Sequence, residues 1–320
     1  MQGRVTRLSN HLRGIVLDIQ RMSTEDGPGL RTTVFFKGCT LKCKWCHNPE
    51  SISFSETVFW HKHKCIGCLD CVKGCPNGAI SMLERGIYID RKKCKSSFFC
   101  AKNCPSGALE LKGKSYQADE LFAELIKDRA YFTGGGGVTL SGGEVLAQAE
   151  FAAELLKKLR DAGVDTAVDT AGFVPYTAIE KVLPYTTHLL YDLKIIDSGE
   201  HKRHTGAGNE LILENLKKAV AEGAKIWIRT PVIPDATDSE ENILGISRFI
   251  SEELGEQVEK WELCAFNNLC KNKYEMLDKE WEYDSAGLIS KDKMNALWET
   301  AKSLLKNKDL VKMTGATAQT

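Results

Sequence analysis

Two short runs of apolar, β-branched and aromatic residues, at 15–19 and 32–36, predict strands near the start of the chain. From about residue 111 the pattern alternates between the helical and the strand period. Apolar positions on one helical stripe, including Leu121 and Leu125, predict a helix over 118–130, and the run 138–141 predicts a strand. Helix 150–162, ended by Gly163, leads to strand 166–170, and helix 176–183 leads to strand 187–193. Helix 211–222, ended by Gly223, leads to strand 225–232; helix 239–253 leads to strand 260–266; a last helix spans 291–305. Counting 32–36, this gives about six strand–helix units. Strict alternation predicts a parallel sheet with right-handed crossovers. Six units suit a curved, incomplete (β/α) barrel, whose reactive groups gather at the carboxyl ends of the strands.

The stretch from Cys65 to Cys104 follows another pattern. Cys65, Cys68, Cys71 and Cys75, followed by Pro76, form the bacterial ferredoxin run C-x2-C-x2-C-x3-C-P. The unit repeats at an offset of 29: Cys94, Cys100 and Cys104 answer Cys65, Cys71 and Cys75, and Pro105, Gly107 and Ala108 answer Pro76, Gly78 and Ala79. In such pairs the fourth Cys of one run ligates the other run's cluster, so one cluster is expected on Cys65, Cys68, Cys71 and Cys104. The second has Cys75, Cys94 and Cys100, with Ser97 standing opposite Cys68. It uses Ser97, an outside ligand or only three irons, or the second run is a decayed repeat that holds nothing. The expected fold class is α/β: an incomplete parallel (β/α)6 barrel with an inserted ferredoxin-like iron–sulfur domain. Residues 1–57 begin the barrel, 58–112 form the insertion, and 113–320 complete the barrel and tail.

Composition narrows the partners. The 43 Lys and Arg balance 43 Asp and Glu, which argues against nucleic acid. Residues 1–13 are polar and basic without the apolar core of a secretory leader. No apolar run approaches a membrane span. A cytoplasmic protein without membrane contact is expected, and in that setting the twelve cysteines read as metal ligands rather than disulfides.

The remaining chemistry centres on residues 26–48. Cys39, Cys43 and Cys46 form C-x3-C-x2-C, which puts three thiolates on one short loop. A cubane cluster gives each of four irons a cysteine, so three leave one iron open, and an open metal position is where a substrate binds. A zinc loop is the alternative, because tetrahedral sulfur sites suit both metals. Trp45 beside the last thiolate and Gly38 before the first favour the cluster. Further polar groups fall at predicted strand ends: Gly142-Gly143-Glu144, Asp169-Thr170, Asp192-Leu193-Lys194 with Asp192 and Lys194 on one face, and Arg229. The four glycines at 134–137 form either a flexible lid or a connector.

An aromatic before the last Cys of C-x3-C-x2-C is the signature of the radical S-adenosylmethionine (SAM) enzymes, which this chain resembles. Asp26-Gly27-Pro28-Gly29-Leu30-Arg31 and the Gly38-Cys39 junction resemble the glycyl-radical-enzyme activating enzymes in particular, over about residues 15–283. The resemblance implies a [4Fe-4S] cluster on Cys39, Cys43 and Cys46 that binds SAM, with Trp45, Cys46 and His47 beside it. It places Gly142, Gly143 and Glu144 at the cofactor's amino group, and Asp169 and Thr170 on the other side. Asp192, Leu193 and Lys194 fall at the cofactor and a monovalent cation, and Arg229 contacts the cofactor. Where the family commonly has a histidine on the last strand, this chain has Asn267. The implied activity is that of an oxidoreductase: reductive cleavage of SAM, with the deoxyadenosyl radical generating a glycyl radical on a partner enzyme. Flavodoxin or ferredoxin is the implied electron donor, with one or two additional iron–sulfur clusters. The rivals are a radical SAM enzyme acting on a small molecule, which the 26–31 motif speaks against, and a ferredoxin-like electron carrier, which would not need the other two-thirds of the chain.

Overall fold

The computed structural model describes residues 12–318, so most of the basic opening read above as lacking a leader lies outside the described residues. β1 (Arg13–Ser23) and β2 (Arg31–Phe36) form an antiparallel pair. β3 (Thr57–Trp60), β4 (Ile80–Leu83), β5 (Gly86–Ile89), β6 (Leu109–Lys112) and β7 (Lys114–Gln117) follow. The last six are β8 (Gly137–Gly142), β9 (Asp165–Thr170), β10 (His188–Asp192), β11 (Ile226–Val232), β12 (Val258–Ala265) and β13 (Val311–Thr314). Nine strands make one sheet in the order β13-β12-β11-β10-β9-β8-β2-β1-β7. From β2 to β13 every neighbouring pair is parallel, as the alternation predicts. The sheet is open, with β7 and β13 on its outer edges. Both are four-residue strands of mixed polarity, too short and too polar to stand out in the pattern. β8 is buried almost throughout, as a parallel strand covered on both faces must be.

The helices between the strands bury one stripe each. In Ala149–Asp161 that stripe is Phe151, Ala152, Leu155, Leu156 and Leu159, and Gly163, at φ +72, turns the chain out of the helix. Two predicted helices change their winding. The one expected over 118–130 is α-helical over Ala118–Leu125 and tightens into a 3-10 segment, Ile126–Tyr131. The tightening turns Asp128 inward, where it accepts hydrogen bonds from Arg21 Nε and Thr32 Oγ1, both at 3.0 Å. The one expected over 239–253 is α-helical over Glu240–Phe249 and widens into a π segment, Ile250–Leu254, that keeps Ile250 and Leu254 buried.

The 26–31 turn locks the amino ends of β8 and β9. The buried Arg31 guanidinium donates to Thr139 Oγ1 (2.7 Å), the Val138 carbonyl (3.0 Å) and Asp165 Oδ1 (2.9 Å). Gly29 sits at φ +68, and a Cβ there would lie 2.3 Å from the Thr133 carbonyl oxygen, so only glycine fits. With Arg31 holding the turn, the Asp26 carboxylate reaches inward. It accepts from Ser23 Oγ (2.6 Å) and Thr33 Oγ1 (2.8 Å), and lies 3.9 Å from Arg229 Nη1.

Between β2 and β7 the chain makes two separate two-stranded sheets, β3 with β6 and β4 with β5. Val58, Ile80, Ile87, Ile89, Cys100 and Leu109 form a small core of their own there. The repeat is visible in the backbone. Gly67 and Ser96 (φ +69, +54), Leu69 and Phe98 (φ +63, +58), and Gly78 and Gly107 (φ +55, +64) are matched left-handed residues, each pair 29 apart. The four-residue helices Asp70–Lys73 and Phe99–Lys102 keep the same offset.

Candidate active site

The three cysteines of the triplet lie on the loop that leaves β2 at the carboxyl end of the sheet. Backbone bonds stitch this loop to its neighbours. Gly38 and Cys39 donate to the carbonyls of Ser51 (2.7 Å) and Ile52 (3.2 Å); Lys42 and Lys44 donate to those of Thr205 (2.8 Å) and His204 (3.0 Å). Gly143 and Glu144 donate to the carbonyls of Phe36 (2.9 Å) and Gly38 (2.7 Å). A Cβ at Gly143 would fall 2.4 Å from the Gly38 oxygen, so the glycines let the 142–144 turn close onto the cysteine loop. Burial pushes the Cys39 and Cys46 thiols up to about 12, and pushes Cys43 up as well. A metal cation arriving at these thiols must therefore displace protons.

The strand ends supply the opposing charges. Lys194 is buried; burial draws its pKa down, but Asp192, which its ammonium hydrogen-bonds, and the nearby Cys43 more than reverse this. Asp169 Oδ2 accepts from Ser141 Oγ (2.7 Å) and Arg229 Nη1 (3.2 Å), while its Oδ1 is buried without a partner. Burial pushes the Asp169 carboxyl up to about 6 despite Arg229. Glu144 and Thr170 are spent on one another: Glu144 Oε1 accepts from Thr170 Oγ1 (2.7 Å) and the Leu146 amide (3.0 Å), and Oε2 from the Ala171 amide (3.0 Å). Burial still pushes Glu144 up to about 7.

The other expected site residues are scattered in role. Leu193 is buried in the core, and Trp45 is buried against His204, with ring centroids 6.0 Å apart. His47 sits edge-on to Phe266 and Trp281, its Nε2 buried without a partner. Asn267 follows β12 and accepts from the Leu269 amide (3.2 Å). In the insertion, Cys65, Cys68, Cys71 and Cys104 line one cavity; Cys100 belongs to the small core, and Cys65, Cys71, Cys75, Cys94 and Cys104 all pack against it. Among the described residues no three His, Cys, Asp or Glu side chains converge on a single-ion site; a cubane, with one thiolate to each iron, asks for wider spacing.

One functional element was missed in the sequence. The segment after β12 straps the back of the triplet loop. Tyr274 Oη donates to the Cys46 carbonyl (2.8 Å), Trp281 Nε1 to the Lys44 carbonyl (3.1 Å), and Lys273 Nζ to Asn48 Oδ1 (2.6 Å) and Glu50 Oε1 (2.9 Å). Tyr274 and Trp281 stack at 5.2 Å. The only signal was the density of aromatics from Phe266 to Tyr283, which carries no helical or strand period.

The donor set fits a site-differentiated iron–sulfur cluster. Three half-buried cysteines share a loop, a buried cation stands beside Cys43, and an unpartnered carboxylate oxygen, Asp169 Oδ1, lies among the strand-end charges. Residues 33–245 match the Radical SAM superfamily. The chain is 42% identical over 270 residues to the (2S)-3-sulfopropanediol dehydratase activating enzyme of Klebsiella oxytoca, covering 82% of this chain and 85% of that one. It is 39% identical over 285 residues to the trans-4-hydroxy-L-proline dehydratase activating enzyme of Clostridioides difficile, covering 88% and 94%. Its fold is similar to that of a radical SAM methyltransferase from Sphaerobacter thermophilus, with a TM-score of 0.52 and 13% identity over 93% of this chain and 76% of that one. The chain belongs to the radical SAM superfamily and, within it, to the activating enzymes of glycyl-radical enzymes.

Proposed function

We propose that this activating enzyme holds a four-iron cluster through Cys39, Cys43 and Cys46, binds SAM at the iron they leave open, and installs a glycyl radical on a partner enzyme. The observation that carries this reading is the meeting of three half-buried cysteines with Lys194, Asp192 and the Asp169–Arg229 pair at the carboxyl ends of parallel strands. Held by Cys39, Cys43 and Cys46, such a cluster would supply one-electron reduction of SAM, giving methionine and a deoxyadenosyl radical that would take a hydrogen atom from a backbone glycine. The chain's own residues bind, orient and exclude water. Gly142, Gly143, Glu144 and Thr170 fix the turn beside the cysteine loop, and Trp45, Cys46 and His47 form the end of that loop, with Trp45 packed on His204 and His47 on Phe266 and Trp281. Asp169 Oδ1 offers an acceptor to a ligand hydroxyl, an ammonium or a monovalent cation, next to Asp192, Leu193 and Lys194. Arg229 faces the cofactor from β11, and Asn267 offers an amide that does not titrate where a histidine would.

The open sheet reads as an incomplete (β/α)6 barrel, whose wide mouth suits a protein loop as substrate. Residues 1–57 and 113–320 build it. Residues 58–112 read as a ferredoxin-like domain with one cluster on Cys65, Cys68, Cys71 and Cys104 and a second on Cys75, Cys94 and Cys100, reduced by flavodoxin or ferredoxin in the cytoplasm. No helix among the described residues is long and apolar enough to cross a membrane. The retained left-handed turns at Ser96 and Phe98 support a working second site despite Ser97. On brief oxidation that site should lose iron and show a three-iron paramagnetic signal that Ser97→Cys suppresses, since hydroxyl is a poorer ligand than thiolate. Equal iron retention in both proteins counts against Ser97 as the weak point.

The test of the whole reading is anaerobic. The protein, SAM and a reductant are mixed with the large enzyme encoded beside it, and electron paramagnetic resonance is recorded. A glycyl radical on the large enzyme is expected. Cleavage of SAM with no protein radical favours the small-molecule rival, and iron reduction without cleavage favours the electron carrier.

A further inference from the structure

The charge of this chain is unevenly placed. Residues 58–112 hold ten Lys or Arg against four Asp or Glu, a net +6, in a chain whose total is zero, so the remainder carries −6. Of those ten cations only Lys93 and Lys112 have an ion-pair partner among the described residues. Lys62, Lys64, Lys73, Lys92, Lys95 and Lys102 are exposed. Lys62 and Lys64 form the turn that runs into Cys65. Lys73 and Lys102 close the two short repeat helices, which pack together so tightly that a Cβ at Gly74 would lie 1.9 Å from the Phe99 ring. The cover over the thiols of this insertion is thin. Cys68 is exposed while lining the cavity it shares with Cys65, Cys71 and Cys104, and Ile66 beside it is 68% exposed.

We propose that the basic surface of the insertion docks an acidic one-electron donor protein of the flavodoxin type, so that electrons enter at the Cys65, Cys68, Cys71 and Cys104 site and not at the mouth of the sheet. The inference rests on the reading that the insertion carries iron–sulfur clusters. Complementary charge raises the encounter rate by roughly 10–10³-fold and loses that advantage in salt. The remainder, at −6, offers such a donor no attraction, which leaves the mouth free for the partner's glycine loop. The step moves one electron and no atom: the donor's flavin hydroquinone is oxidised, and iron in the insertion is reduced. Exposed, apolar Ile66 follows Lys62 and Lys64 in the chain by a few residues and sits beside exposed Cys68, which suits a small, transient redox contact that joins apolar surface to charge.

The experiment titrates the full-length, iron-loaded protein with oxidised flavodoxin by calorimetry, and separately follows reduction of the insertion's iron by flavodoxin hydroquinone. Binding should weaken about 10-fold or more as salt rises from ~0.05 to ~0.3 M. The charge-reversed K62E/K64E/K73E/K102E protein should bind and accept electrons at least about 10-fold less well, while its reduction by dithionite is unchanged. If that protein does not fold, K62Q/K64Q should show a smaller loss in the same direction. Salt-insensitive binding, or binding indifferent to these substitutions, overturns the proposal. So does slower glycyl-radical formation under dithionite with flavodoxin binding intact, which assigns the face to the glycyl-radical enzyme. Iron analysis separates the two readings: salt-sensitive donor binding to an insertion that holds no iron overturns the cluster reading and leaves the docking face standing.

Discussion

The triplet loop and the insertion both present cysteines at short spacing, but they hold them by different means. Around Cys39, Cys43 and Cys46 the contacts come from far along the chain: Tyr274 is 228 residues from Cys46, and Trp281 is 237 from Lys44. Burial there drives the thiols upward. In the insertion the turns are local. Gly78 donates to Cys75 and Gly107 to Cys104, each within one turn. The thiols there do not move together: burial raises Cys71 to about 11 and raises Cys100 as well, while at Cys104 burial is outweighed by hydrogen bonds from Leu109, Ser106 and Ala108, which hold it below its usual range. Ligands placed by tertiary structure are as rigid as the sheet beneath them. Ligands placed by short turns over a small core lean on the metal itself for stability.

The strongest way to break the comparison is to empty each site in turn. Replacing Cys39, Cys43 and Cys46 with Ala should abolish SAM cleavage, measured as deoxyadenosine formed, while iron in the insertion stays bound. Replacing Cys65, Cys68 and Cys71 should lower iron content and slow reduction by a protein donor, yet preserve cleavage under a strong chemical reductant. If the second set also stops cleavage in a folded protein, the insertion belongs to the reaction centre and the contrast collapses.

A pH titration of stability sharpens it next, because the regions respond with opposite sign. Burial raises the Glu144 carboxyl to about 7, so the folded state holds its proton more tightly than the unfolded chain. That contribution is complete below about pH 4.5 and is lost as pH rises through about 7, a change of roughly 3–4 kcal/mol at most. The difference in stability between wild type and Glu144→Gln, measured pH by pH, should trace this window; a flat difference means Glu144 titrates normally. In the insertion, burial raises Glu110, but Lys112 and His61 pull it below its usual range. Its contribution is present above the ordinary carboxylate range and disappears as pH falls below it.

The smallest effect concerns the strap. Tyr274→Phe leaves the Cys46 carbonyl without its donor, at a cost of about 1 kcal/mol. Iron should then leave the triplet faster when a chelator is added, with a shifted paramagnetic signal, while the insertion's iron is unaffected. An unchanged rate of loss would show that the strap does not position the loop.

These contrasts also explain what the sequence could show. The parallel sheet was legible because each βα unit repeats a hydrophobic period. The grouping of Cys104 with Cys65, Cys68 and Cys71 around one cavity was legible because the 29-residue repeat marks two ferredoxin runs, and in such pairs the fourth Cys of one run joins the first three of the other. The 26–31 motif was legible only as a resemblance; its physical reason, Arg31 clamping β8 and β9 and Asp26 reaching toward Arg229, depends on residues more than a hundred positions apart. Glu144 read as a ligand-facing acid, whereas the structure engages both its oxygens with Thr170, Leu146 and Ala171. The strap left no periodic trace. The edge strands β7 and β13 are recognisable only by what they pair with.

The strap has a consequence for how the protein is made. The triplet loop emerges from the ribosome 228 residues before Tyr274 exists to hold it, a lag of roughly 10–50 s at ordinary rates of synthesis. The insertion's cysteines, all between Cys65 and Cys104, are complete within a few seconds of one another by the same clock. Iron delivered during translation would find the insertion ready and the triplet still an unclamped, solvent-washed loop. The order in which the two sets of cysteines are held in place is thereby written into the chain: those of the insertion first, those of the triplet only after Tyr274 and Trp281 have closed behind them.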